Sequence, residues 1–390
     1  MNRPVYLDYA ATTPVDPRVA AAMAQCLTLE GEFGNPASSS HSFGDAAASL
    51  VERSRAQVAQ SIGALPEDVV WTSGATEANN LAIFGVAEYY RDYGRHIVTA
   101  RTEHKAVLDP CRELERRGWR VTYLAPAQGG VIHADQVAAA LEADTVLVSI
   151  MHVNNEIGVI QDIAAIAAIC AKHGGARMHV DAAQGAGKCA IDFNRFGADL
   201  MSLSAHKVYG PKGVGALVFR RGRGSPVHLT PLHFGGGQEQ GLRAGTVATH
   251  QVVGMGLAFA LAEAQRAADA ERIAILQERL WRGLSSLGGT WRNGDAKRSV
   301  PHLLNVSFEG VEGESLLAAV RPDLAVSTGS ACTSALEEPS YVLRALGRDD
   351  VLSESSLRFG LGRFTTELDI DTAIQVVTRA VSRLRRISGA

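Results

Sequence analysis

What this 390-residue sequence lacks narrows its function before any motif is considered. It has no block of charge of one sign: Lys plus Arg number 38, Asp plus Glu 41, and the net charge is -3 with both signs interspersed. Nucleic acid is therefore not expected as a main partner. No apolar run approaches the length of a membrane span, and a strand-like pattern begins at once with Val5, Tyr6 and Leu7. Neither membrane association nor a signal or transit segment is expected. Cysteine is scarce: Cys26, Cys111, Cys170, Cys189 and Cys332 are odd in number, scattered, and without C-x-x-C spacing. That predicts a reducing, cytoplasmic compartment and argues against a zinc site. Walker A and G-x-G-x-x-G motifs, internal repeats and low-complexity segments are all missing, so nucleotide binding has no specific support. What is present is 46% apolar, enough for a large core in two or three structural units. The Asn305-Val306-Ser307 sequon falls inside an apolar strand pattern, where no glycan fits.

The chain opens with a short apolar arm, Tyr6 to Pro14, leading into a helical pattern through Val19 and Met23. Residues 31–41, rich in Gly, Asn, Pro and Ser, read as a loop in which Asn35 and His41 are either site residues or part of a plain connection. From Val69 strands and helices alternate: strands at Val69–Ser73, His96–Ala100, Arg120–Leu124, Thr145–His152, Met178–Asp181, Leu200–Ser204 and Gly215–Phe219, with helical periodicity between most of them. This spacing predicts an α/β fold with a mostly parallel sheet covered on both faces. A long helical stretch from Thr246 to about Leu287 reads as a domain hinge. Beyond it, strands near 303–308, 324–327 and 356–360, with helices near 314–320, 340–346 and 369–387, predict a smaller α+β domain.

Polar groups cluster where strands end. The run Leu200-Met201-Ser202-Leu203-Ser204 stops at Ala205-His206-Lys207 and a Gly-Pro turn, which places Lys207 at the carboxyl end of a buried strand, where open α/β sheets keep their chemistry. Apolar surroundings lower an amine's pKa and suit it to a Schiff base with a carbonyl cofactor, pyridoxal 5'-phosphate (PLP) being the obvious one. Taken alone, Lys207 reads instead as a loop lysine reaching water, the commoner case, and the rest of the chain must overturn that reading. Asp181 and Gln184 follow another strand, and a buried carboxylate would keep a pyridine nitrogen protonated; its alternative reading is a helix N-cap. His104, after a third strand, could lie over a ring and move protons. Gly74-Ala75-Thr76, between strand and helix, aims backbone N–H groups at a phosphate. Cys332 lies among Ser, Thr and Gly without apolar period, which reads as a mobile loop carrying a nucleophile. The other four cysteines lie in helical or strand patterns and read as structural.

With these residues in view, the chain resembles a PLP-dependent cysteine desulfurase of the aminotransferase class V family, of the housekeeping type that supplies iron-sulfur cluster assembly. The resemblance runs over nearly the whole chain, through Tyr6 to Pro14, Gly34-Asn35-Pro36, Thr72 to Asn80, Thr102 to Asp109, Met151 to Ile163, Asp181 to Gln184, Ser202 to Leu217, Gly235 to Thr246, Ser327 to Leu346 and Ser356 to Glu367. It implies PLP-dependent transferase fold type I, with a mostly parallel seven-stranded-type sheet in a large domain at 15–260. Residues 1–14 plus 261–390 would form the smaller domain with the cysteine loop. It implies that Lys207 holds PLP as a Schiff base, Asp181 pairs with the ring nitrogen, Gln184 contacts the ring hydroxyl and His104 stacks on the ring. Ala75, Thr76, Ser204 and His206 would hold the phosphate, joined by Thr246 of a second subunit in a homodimer. Asn155 and Arg358 would bind L-cysteine, Arg358 clamping its carboxylate with two parallel hydrogen bonds. Cys332 would take the sulfur as a persulfide, leaving L-alanine, and serve as a transient cluster ligand; the sulfur would pass to an iron-sulfur scaffold and other acceptor proteins.

Three departures from the family pattern stand out. The chain ends at Ser388-Gly389-Ala390, where the family continues with a scaffold-docking segment. Gln240 replaces a common basic residue and Ala183 a common Thr, and neither is expected to touch the chemistry. The alternatives are a selenocysteine lyase or other class V lyase or aminotransferase, which would not need Cys332, and a scaffold without turnover, against which the set Lys207, Asp181, His104 and Arg358 argues.

Overall fold

The computed structural model describes residues 3–222, 226–328 and 339–389. Its strands are β1 (Val5–Tyr6), β2 (Val69–Thr72), β3 (His96–Ala100), β4 (Arg120–Leu124), β5 (Thr145–Ser149), β6 (Arg177–Asp181), β7 (Leu200–Ser204), β8 (Gly215–Phe219), β9 (Thr290–Asn293), β10 (Leu303–Phe308), β11 (Leu324–Ala325) and β12 (Ser356–Gly360). Seven of them form one sheet in the order β2-β8-β7-β6-β5-β3-β4. The pairs from β7 through β6, β5 and β3 to β4 are parallel, and β8 is antiparallel to both β7 and β2. The mostly parallel, seven-stranded sheet expected from the sequence is thus present.

Strand periodicity of two sends neighbouring side chains to opposite faces. Ile97, Leu147, Leu200 and Leu217 pack with the helix Ala75–Tyr90 on one side; Val98, Val148, Met201 and Val218 pack on the other, with Ile163, Ile166, Val252 and Phe259. Burial on both faces is why these strands read as continuous apolar runs. The exception is edge strand β4, whose first residue, Arg120, is exposed.

A second cluster joins Leu7, Leu304, Val306, Phe308, Phe359, Ile370 and Val377 behind the antiparallel sheet β12-β10-β9. The stretch read as a hinge is one unbroken helix, Thr249–Ser285. Its 37 residues span about 55 Å at 1.5 Å each. Its first half (Val252, Met255, Phe259) packs in the large-sheet core and its second (Ile273, Leu276, Leu280) in the other. Strand β9 was not foreseen: Gly288 and Gly289, both at positive φ, end the helix run, and only four residues follow before the next turn. Among the described residues no helix is long and apolar enough to cross a membrane.

Cys111 and Cys170 lie buried in helices, as the periodicity predicts. Cys26 and Cys189 lie instead in turns, and Cys189 is only half-buried. Cys332 lies outside the described residues.

Candidate active site

The carboxyl ends of β2, β3, β5, β6 and β7 open onto one edge of the sheet, because β8 reverses direction twice and returns β2 parallel to β7. A cavity of about 470 Å³ lies there. Its wall contains Ala75, Thr76, His104, Asn155, Asp181, Gln184, Ser204, His206 and Lys207 of the residues singled out in the sequence. Five separate strand ends thus supply one site.

At one end of the cavity begins the helix Ala75–Tyr90. Gly74 precedes it at φ 151°, has no side-chain cap, and faces open space. A Cβ on Gly215 of β8 would meet Gly74 Cα at 2.6 Å, so only glycine lets the strand pass this close. Among the described residues the amides of Ala75, Thr76 and Glu77 have no hydrogen-bond acceptor, which leaves the helix start ready for an anion. Lys212, also on the cavity wall, adds a cation.

His206 Nδ1 pairs with Thr12 Oγ1 at 3.1 Å. Burial first, then the Lys207, Lys212 and Lys188 charges, push its pKa down to about 4, so it is a neutral group at pH 7. Its carbonyl accepts Thr13 N–H at 2.8 Å and the Thr13 hydroxyl at 3.0 Å, stitching the N-terminal arm to the segment that carries Lys207. Tyr209, just beyond, is held at φ 65° by its N–H donating to Thr13 Oγ1 and its hydroxyl accepting Arg363 N–H. Backbone strain of this kind persists only where surrounding contacts over-determine it.

His104 is the N-cap of the helix Lys105–Arg116: its Nδ1 accepts the Ala106 N–H at 3.0 Å. The proton of the neutral ring therefore sits on Nε2. Burial, and then Lys207, lower its pKa.

Asp181 Oδ1 accepts Ala183 N–H at 2.9 Å and Oδ2 accepts Asn79 Nδ2 at 2.8 Å. The N-cap alternative does not apply, since no helix starts there. Asn79 escaped the sequence reading; a buried Asn inside an otherwise apolar helix one turn after the glycine was its only signal. Gln184 donates from Nε2 to Ala10 O at 2.7 Å and accepts from Lys188 through Oε1, a second residue the sequence reading missed. Ala183 does line the cavity, contrary to expectation, because its amide must turn inward to reach Asp181.

Asn155 Oδ1 is buried without a partner at the cavity wall. Arg358 is placed differently from the rest: it is buried on β12 behind the wall, donating from Nη1 to Asn155 O at 3.0 Å and from Nη2 to Asp8 at 2.9 Å. Its Nε has no partner. Nearby, Glu156 is pushed up to about 7 by burial, and its Oε2 accepts the Ser340 hydroxyl. Glu103, also fully buried, is raised well above the usual carboxylate range.

Thr246 is not part of this wall. It follows a glycine-rich loop pinned to the rest of the chain by Arg55–Glu239 at 2.9 Å and Arg243–Glu77 at 3.0 Å, with Glu239 and Gln240 at φ 49° and 58°. Asn35 lines a different cleft beside that loop, and His41 caps the helix Ser42–Ser61.

The sequence pattern of the aminotransferase class-V family matches residues 5–372. Over 389 residues the chain is 58% identical to "Cysteine desulfurase IscS" of Azotobacter vinelandii and 56% identical to that of Pectobacterium atrosepticum, covering 100% of this chain and 95% of each relative. Among solved structures, a "NIFS-LIKE PROTEIN" superimposes with a TM-score of 0.90 at 33% identity, covering 98% of this chain and 100% of that one. DndA from Streptomyces lividans does so with a TM-score of 0.77 at 42% identity, covering 91% and 99%.

Proposed function

Since the chain belongs to the aminotransferase class-V family, whose members depend on PLP, we propose that it is a cysteine desulfurase that converts L-cysteine to L-alanine and passes the sulfur toward iron-sulfur cluster assembly. The observation that carries this reading is the placement of Lys207, Asp181 and an open helix N-terminus on one cavity. Its volume suits a small cofactor with part of a substrate. The unmet amides of Ala75 to Glu77 match a phosphate, and the unpartnered Asn155 Oδ1 marks a missing polar neighbour. The residues fit the group.

Lys207 would hold the cofactor covalently, Asp181 would face its ring nitrogen, Gln184 its ring hydroxyl and His104 its ring face. Ala75, Thr76, Ser204 and His206 would hold its phosphate. Bound PLP supplies a carbonyl for amines and a ring that withdraws electrons from the bond being broken. Asn79 and the Ala183 amide hold both oxygens of Asp181 in the orientation in which it would face the ring nitrogen. The Lys207 amine moves the proton at the substrate alpha carbon, at the junction of β7 and the arm. Neutral His104 presents its Nε2 proton while Nδ1 stays committed to Ala106. Arg358 and Asn155 would receive the substrate carboxylate. Cys332 would attack the substrate sulfur as a thiolate, forming the persulfide S–S bond as the C–S bond breaks, with the electron pair left on carbon and protonated to give alanine.

The division into 15–260 and 1–14 plus 261–390 is supported by the two large apolar clusters. A homodimer is supported by the pinned loop that leaves Thr246 exposed and away from its own cavity, where a second copy's phosphate site would take it. A cytoplasmic location is in keeping with the free thiols of the four described cysteines. Sulfur acceptors would be an iron-sulfur scaffold and other proteins, and a transient cluster ligand role for Cys332 belongs to the same reading.

Mass spectrometry after exposure to L-cysteine tests it. Sulfur added at Cys332, with alanine released, is expected. Cys332→Ser should bind cysteine yet yield no persulfide and little alanine, since a hydroxyl is a far poorer nucleophile than a thiolate at neutral pH. Alanine formed by Cys332→Ser at the wild-type rate would show a lyase instead.

A further inference from the structure

Lys188 lies one turn beyond Gln184 and has no part in the chemistry above. Though half-buried by surface, its amine points inward, donating to Gln184 Oε1 at 2.5 Å beside a void of about 10 Å³ lined by Tyr9, Lys207, Tyr209, Asp269 and His302. Asp269 is already paired with Arg363 at 2.9 Å, and burial keeps His302 neutral, so the void offers Lys188 no free counter-charge. Burial first, then the Lys207 charge, push the amine down to about 7; Cys189 acts in the opposite sense and Arg358 in the same one. Protonated or neutral, it still carries an N–H for Gln184.

The consequence falls on an amide that could otherwise face either way. A backbone carbonyl only accepts, so the atom of Gln184 that meets Ala10 must be the nitrogen, and the atom that takes the Lys188 N–H is the carbonyl oxygen. Flipping the amide would set C=O against C=O at Ala10 and give up the Lys188 N–H···O bond. Of the two N–H groups on Nε2, Ala10 takes one, which leaves the second for the cofactor cavity that Gln184 lines. Ala10 adjoins Ala11 and Thr12 on the cavity wall, so the same relay ties the N-terminal arm to the floor of the site.

We propose that Lys188 is a positioning residue that locks the Gln184 amide with its oxygen turned away from the cavity and one N–H presented to the ring hydroxyl of PLP. The proposal rests on the cofactor reading above. Its test is a double-mutant cycle on the full-length protein, prepared without cofactor and titrated with PLP, using Lys188→Met, Gln184→Met and the double variant. Dissociation constant, visible circular dichroism and the melting temperature of the cofactor-free proteins are recorded. Each single variant should weaken PLP binding about tenfold, the size of one lost buried hydrogen bond. The double variant should be no weaker than Gln184→Met alone, because Lys188 acts through Gln184, and Lys188→Met should share the altered dichroism of Gln184→Met. Additive losses, or unchanged PLP affinity and dichroism with only a lower melting temperature, would overturn it. Should Lys188→Met not fold, Lys188→Gln keeps an N–H donor one bond shorter and should hold PLP better than Gln184→Met; equal losses would overturn the proposal. Wild-type protein that gains no PLP mass on Lys207 after borohydride reduction would overturn the cofactor reading together with this one.

Discussion

Arg358 and Asp8, 350 residues apart in sequence, are joined at 2.9 Å from Nη2 to Oδ1. The guanidinium is 2% exposed and spends its other Nη on the Asn155 carbonyl. A substrate carboxylate binding at Arg358 would have to replace Asp8 on the fork, or share it through the unpartnered Nε.

That geometry makes the fork itself the requirement. Arg358→Lys keeps the charge but has no planar pair of donors, so it serves Asp8 and Asn155 only in turn. KM for L-cysteine should rise about tenfold or more, the equivalent of one charged hydrogen bond, while PLP content stays at the wild-type level. Steady-state kinetics with a cofactor assay check this. An unchanged KM would place the carboxylate elsewhere.

Asp181→Asn should retain the fold, because the amide oxygen can still accept one of the bonds from Asn79 and Ala183. Turnover should fall about 100-fold, in line with losing an electrostatic partner aimed at charge that develops in the reaction. Alanine release and the visible spectrum after cysteine addition are the measurements. Wild-type turnover would remove Asp181 from the ring nitrogen.

Of the histidines held neutral by burial, His152, His179 and His206 are each pushed down to about 4. Their folded values lie below the unfolded value near 6.5, so the unfolded chain binds the extra protons and stability is lost as pH falls from about 6.5 toward 4. The slope reaches about 4 kcal/mol per pH unit when all three titrate together. Glu156 has the opposite sign: raised to about 7, its contribution is lost as pH climbs through that value. Urea denaturation of the cofactor-free protein at pH 5 and pH 6.5 should give a markedly lower stability at the acid end, and a flat profile would contradict the burial argument.

The Arg55–Glu239 pair should be costly to break. Glu239 is 4% exposed and also accepts Trp71 N–H, so Arg55→Met leaves a buried carboxylate without its cation. A loss of about 3–5 kcal/mol is expected. Denaturation midpoints test it, and a change under about 1 kcal/mol, the size of a surface pair, would refute it.

The sequence by itself determined where the sheet would run and which residues would stand at its rim. Strands buried on both faces must be apolar throughout, so a polar group at the end of such a run, as at His104, Asp181 and Lys207, is conspicuous without any coordinates. Gly74 was legible for the same reason, as the break between strand and helix. Tertiary structure alone decided the rest, because it depends on contacts between distant segments. Asn79 could not be assigned to Asp181, nor Asp8 to Arg358, by any periodicity, since pairs 102 and 350 residues apart meet only when the sheet and the N-terminal arm have closed. Lys188 was invisible because a lysine belongs to water on any sequence scale. Only the folded chain, by turning its amine toward Gln184, makes it part of the interior.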